Sequence, residues 1–262
     1  MVDILTEPKS SLWLRWVNVA AFIVTILVNA LASTAVLNNI STGSISDKYE
    51  TLVTPAGYVF SIWSVIYILL FVFVAFQALS SQKGKPFQNQ VGALFLLSCV
   101  FNIVWIFLWQ YEYITLSVPL MFALLASLIA IYLRLNIGKA DVPMREKLAV
   151  HLPFGVYLGW ITIATIADVA AALVSLSWNG FGISNETWAI LVIIVALIIA
   201  LLVTFTRRDV AYDLVIIWAL VGIAVKQSAN QNIVTTTEIS AIIVAIALLL
   251  SILVSRFRRQ KK

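Results

Sequence analysis

Eight apolar runs, each about long enough to cross a bilayer as a helix, govern what this chain can fold into. They cover residues 13–38, 56–80, 90–110, 113–134, 148–176, 187–206, 210–229 and 236–255. Roughly 20 residues of helix span a hydrocarbon core of ~30 Å. Hydrophobic residues make up 62% of the 262 positions and charged residues 11%, so the chain lacks the polar material for a soluble surface. The expected fold is therefore all-α, a polytopic transmembrane bundle of about eight spans. The first run is long and carries no small-residue cleavage site, and it reads as a retained signal anchor.

Basic residues supply the topology. With the N-terminus in the cytoplasm, the inner side receives Lys9, Arg15, Lys83, Lys85, Arg134, Lys139, Arg145, Lys147, Arg207, Arg208, Arg256, Arg258, Arg259, Lys261 and Lys262. The outer side receives Lys48 and Lys226, a bias of fifteen to two that a missed helix would scramble. The expectation is a multi-pass protein of the cell membrane with both termini cytoplasmic, and a basic tail that anchors the last helix. This placement also accounts for the net charge of +5 without nucleic acid as a partner. The single cysteine, Cys99, and single histidine, His151, exclude an intrachain disulfide and a Cys/His metal cluster. His151 reads as an interface residue rather than a haem ligand.

Three segments carry polar and aromatic residues on one helix face. Phe60, Trp63 and Tyr67 are spaced i, i+3, i+7; Asn102, Trp105 and Trp109 share those offsets; Tyr157, Trp160, Ala164 and Asp168 continue to i+11. At similar depth these faces would wall an apolar pocket with a few polar anchors beneath the 38–55 loop. A second reading competes. Trp13, Trp16, Trp109, Trp178 and Trp188 lie near segment ends and suit an interfacial belt, and the deeper tryptophans could simply pack helices.

Pro55-Ala-Gly-Tyr-Val-Phe60-Ser-Ile-Trp63-Ser-Val-Ile-Tyr67 resembles the second-helix motif of the TspO/MBR family, the tryptophan-rich sensory proteins related to the mitochondrial translocator protein. Phe101-Asn102-Ile-Val-Trp105 resembles its third-helix Asn-x-x-Trp element, and Trp160-Ile-Thr-Ile-Ala164-Thr-Ile-Ala-Asp168 its fifth-helix Trp-x-x-x-Ala run. The resemblance covers residues 13–176. It departs from the family where Pro153-Phe154 stands seven residues before Trp160 and where Asp168 replaces the usual Asn. It divides the chain into a five-helix core, 1–180, and three additional helices with a basic tail, 181–262.

The resemblance implies a receptor or sensor for a planar lipophilic small molecule, with protoporphyrin IX or haem as tetrapyrrole candidates and no required cofactor. It places Phe60, Trp63, Tyr67, Asn102, Trp105, Tyr157, Trp160, Ala164 and Asp168 at the ligand, closes the pocket with the first interhelical loop, and implies a homodimer. Transport of the ligand and light-dependent porphyrin degradation are the alternatives. Broken helices and internal repeats, which a transporter would favour, are not evident, nor is a nucleophile–base pair for an enzyme.

Ionisable residues within the runs raise one further expectation. Asp168 is costly in hydrocarbon unless paired. Lys226 either snorkels to the surface or pairs with Asp168, which would fasten the added helices to the core. Asp209 and Asp213 read as acids at a helix N-terminus beside Arg207 and Arg208.

Overall fold

In hydrocarbon every backbone N–H and C=O must be paired within the chain, which favours helices. The computed structural model describes residues 12–260, with side chains described from 13 to 254, and contains no strand among them. Lys9 and the tail 256–262 therefore lie outside the described side chains.

The helices in chain order are α1 (Leu12–Ser33), α2 (Thr42–Lys48), α3 (Ile62–Ala78), α4 (Pro86–Gln110), α5 (Ile114–Arg134), α6 (Met144–Glu146), α7 (Leu152–Ser175), α8 (Asn185–Arg207), α9 (Val210–Lys226) and α10 (Gln231–Gln260). A π turn, Lys147–His151, joins α6 to α7. Among the described residues seven helices are long and apolar enough to cross a membrane, and with the family resemblance and the outward-facing aliphatic side chains they make this an integral membrane protein. The eighth expected span is α9. It has 17 residues, or about 25 Å of rise, and packs against α7, α8 and α10.

The long helices alternate in direction and so define two ends. One holds residues 34–57, 111–113, 176–184 and 227–230 and is here called the lid end. The other, the basic end, carries Lys83, Lys85, Arg134, Lys139, Arg145, Lys147, Arg207 and Arg208. Trp13 and Trp16, 62% and 60% exposed, fit the belt reading. Trp109, at 6%, does not, because the lid covers it.

Helices α8 to α10, expected as an addition to a five-helix core, meet the rest of the bundle along a close α7–α9 seam. A Cβ on Gly155 would stand 2.6 Å from Asp209 Oδ2, and one on Gly159 would stand 3.0 Å from Tyr212 O. Only hydrogen at both positions lets the backbones approach this far. The seam is pinned by Tyr212 OH against Thr162 Oγ1 at 3.1 Å. Asp209 caps α9 as expected, accepting from the Ala211 and Tyr212 amides at 3.1 and 3.4 Å. Asp213 lies in the first turn of α9 as expected, but it is buried and accepts from Thr204 Oγ1 at 3.0 Å, while Arg207 donates to Asn136 Oδ1 at 2.8 Å.

The expected Lys226–Asp168 pair does not form. Lys226 Nζ reaches the lid instead, 2.9 Å from Asp47 Oδ1 and 3.6 Å from Glu50 Oε1. The added helices are thus fastened to the lid and to α7. The lysine stays at the wet rim, where a charge keeps most of its hydration.

Candidate ligand site beneath the lid

The lid is a short connection made rigid by hydrogen bonds to both halves of the chain. On the core side, Gln110 Nε2 donates to Leu37 O at 2.9 Å and also to Ile40 O, while Asn38 Nδ2 donates to Gln110 O at 3.0 Å. Trp109 Nε1 donates to Thr42 O at 3.2 Å. Toward α9, the Ala56 amide donates to Gly222 O at 3.0 Å, and Gln227 Nε2 donates to Thr51 O and Thr54 O at 3.2 and 3.4 Å. Trp218 Nε1 donates to Val59 O at 3.3 Å. A left-handed turn at Asn38 and Asn39 lets the chain reverse into α2; Asn is among the residues that tolerate this conformation best.

Glu112, in the α4–α5 turn, accepts from Lys48 Nζ and from Tyr49 OH, the latter at 2.9 Å. The hydrogen bond from Lys48 holds the Glu112 carboxyl below the usual glutamate range. A depressed folded value contributes stability at pH above about 4.3, the unfolded value. That contribution is lost as pH falls through the lower folded value. Limited proteolysis of the 38–55 loop should therefore accelerate only on acidification below about pH 4, and Glu112→Gln should remove this step.

Under the lid lies a narrow space between α3, α4 and α7, the cavity of this site. Phe60, Trp63, Trp105, Trp160, Ala164 and Asp168 line it, as does Trp109. A second, roomier space lies between α1, α3 and the lid, and Phe60, Trp63 and Tyr67 line it. Trp63 borders both. Its ring is 6.0 Å from Trp160 edge to face, 6.1 Å from Trp105 in a stacked arrangement, and 5.7 Å from Tyr67, also stacked. Trp105 stacks in turn on Trp109 at 5.8 Å, and Phe60 meets Trp160 edge to face at 5.9 Å. Such offset and T-shaped contacts each contribute about 0.5–1.5 kcal/mol beyond burial. They hold the walls in place without filling the space between them.

Asn102 and Tyr157 line neither space. They sit behind the aromatic wall, where Asn29 Nδ2 donates to Asn102 Oδ1 at 2.7 Å and Asn102 Nδ2 donates to Tyr157 OH at 3.1 Å. This buried chain ties α1 to α4 and α7. Asn102→Leu leaves the Asn29 amide and the Tyr157 hydroxyl without that partner. It should cost about 1–3 kcal/mol, read as a lower unfolding temperature in detergent.

Asp168 is 2% exposed and lines the cavity. Its Oδ1 accepts from Trp105 Nε1 at 3.2 Å and lies 3.0 Å from Ser117 Oγ. Trp160 Nε1 is buried and has no hydrogen-bond partner among the described residues. The lid residues Thr42, Ser46, Tyr49 and Thr54 complete the cavity, and Ala167 and Ala171 keep its α7 wall low. These, with Ser117 and Asn29, are the site residues that helix-face spacing does not single out. Serine in the apolar run of α5 was the available signal for Ser117.

A family model described as TSPO-like protein matches residues 15–254, from α1 through α10. No curated protein and no solved structure matches the chain.

Proposed function

This chain belongs to the TSPO-like protein family, and we propose that it is a membrane receptor for a planar lipophilic ligand of the tetrapyrrole class, held in the aromatic cavity beneath the lid. The observation that carries this reading is a mainly apolar space beneath the lid, lined by Phe60, Trp63, Trp105, Trp109 and Trp160 with Asp168 among them. Flat aromatic walls favour a flat aromatic guest by offset stacking. The unpartnered Trp160 N–H supplies a donor for a ligand acceptor, and the hydroxyls of Thr42, Ser46, Tyr49 and Thr54 supply a polar rim.

The gathering of Lys and Arg at the opposite end supports a cytoplasmic basic end and an outward-facing lid. In this reading α1 to α7 form the binding core, and α8 to α10 buttress the lid through Lys226, Gln227 and Gly222.

Titrating the purified protein with protoporphyrin IX and with 9-methylanthracene, and following tryptophan fluorescence, tests the reading. Saturable quenching is expected for the wild type, with weaker binding in Trp160→Phe, which keeps a ring but loses the indole donor. Absence of saturable quenching by both compounds removes the proposal.

A further inference from the structure

Resting on the pocket proposed above, we infer that this site selects planar lipophiles carrying a positive charge. The basis is the juxtaposition of one buried carboxylate with several indole faces and no cation. Asp168 lies on the cavity wall in α7, 2% exposed. Among the described residues it forms no ion pair. Its polar contacts there are Trp105 Nε1 and Ser117 Oγ. Ser117 has one hydroxyl proton and two acceptors within reach, Ile114 O at 2.7 Å and the Asp168 carboxylate. An ionised Asp168 therefore has few donors. A carboxylate taken out of water is costly unless a positive charge offsets it.

The walls supply the second half of a cation site. Trp63, Trp105, Trp109 and Trp160 line the same cavity, and the negative face of an aromatic ring attracts a cation placed over it, most strongly for tryptophan. Among the described residues no lysine or arginine lines the cavity. The two lysines nearest in sequence to its lid and helix ends are already paired at the rim, Lys48 with Glu112 and Lys226 with Asp47. A carboxylate held at that depth would thus meet Asp168 with no basic partner, so the acid groups of a tetrapyrrole guest would have to face the lid rim, where Lys48 and Lys226 stand. A delocalised cation would meet both Asp168 and the indole faces.

Three ligands of nearly one shape separate charge from size: N-methylacridinium, 9-methylanthracene and 9-anthracenecarboxylate. Each is titrated into wild type and Asp168→Asn in nanodiscs, with thermal unfolding recorded alongside. The expected result is that wild type binds the cation at least about tenfold tighter than the neutral compound, and the anion weakest. In Asp168→Asn, which keeps the shape of the side chain, the cation-to-neutral ratio should fall to about one. Equal binding of cation and neutral compound by wild type overturns the inference and leaves the pocket standing. So does a cation preference that survives in a folded Asp168→Asn protein. Failure of all three to bind overturns the inference, and failure of protoporphyrin IX as well overturns the pocket reading.

Discussion

Replacing Gly159 with leucine is expected to unseat α9 and loosen the lid, although the residue touches neither the lid nor the cavity. At Gly159 the first added carbon would already stand 3.0 Å from Tyr212 O and 3.1 Å from Val215 Cβ, so the rest of a leucine side chain has no room. Overpacking of this kind costs about 1–3 kcal/mol. The same displacement would strain the Tyr212–Thr162 hydrogen bond and carry Gly222 and Gln227 away from the lid carbonyls and amide they now meet. Two results are expected: a lower unfolding temperature, and faster hydrogen exchange at the Ala56 amide, whose acceptor is Gly222 O. Gly43→Ala is the matched control, since a Cβ there meets no atom within 4 Å. A Gly159→Leu protein with unchanged exchange at Ala56 would show that α9 does not hold the lid.

Trp63→Ala should have the largest effect at the site itself. The indole lies between the two spaces and contacts Tyr67, Trp105, Tyr157 and Trp160 within 6.2 Å. Truncating a packed aromatic to alanine costs about 3–5 kcal/mol. Because Trp63 borders open space on both sides, the lower end of that range is expected. Removing it would merge the two spaces and take away the central stacking surface. Affinity for planar ligands should fall about a hundredfold, equivalent to about 2.7 kcal/mol. Trp63→Phe should keep most of it. Calorimetric unfolding and fluorescence titration together check this, and undiminished affinity in Trp63→Ala would remove Trp63 from the site.

The helices were legible because lipid leaves few alternatives: a segment that cannot pair its backbone with water must pair it internally, and hydropathy reports which segments those are. The shared faces of α3, α4 and α7 were legible for a related reason. Residues at i, i+3 and i+7 stay on one side of a helix whatever it packs against. That periodicity could not say which neighbour each residue meets. Asn102 and Trp105 are only three residues apart, yet Asn102 turns toward Asn29 and Tyr157 while Trp105 turns to the cavity.

Contacts set by loops were illegible. Trp109 sits where a belt tryptophan would sit, and only the returning lid, through Thr42 O, makes it interior. Lys226 and Asp168 formed a plausible pair in a linear reading. Their separation follows from Lys226 lying at the C-terminus of α9, within reach of the acidic lid residues Asp47 and Glu50. The Gly155-x-x-x-Gly159 spacing was present in the sequence but gained meaning only once α9 was seen against it.

Filling the cavity from its own wall tests the central claim most directly. Ala164 projects from α7 into the space under the lid, and a phenylalanine there would occupy volume that a flat guest needs. Ala164→Phe should fold with a lowered unfolding temperature, since fitting the added ring into a narrow space costs about 1–3 kcal/mol. Its affinity for protoporphyrin IX and 9-methylanthracene should drop at least about tenfold, or 1.4 kcal/mol. Wild-type affinity in a folded Ala164→Phe protein would place the ligand somewhere other than the aromatic cavity and contradict the account.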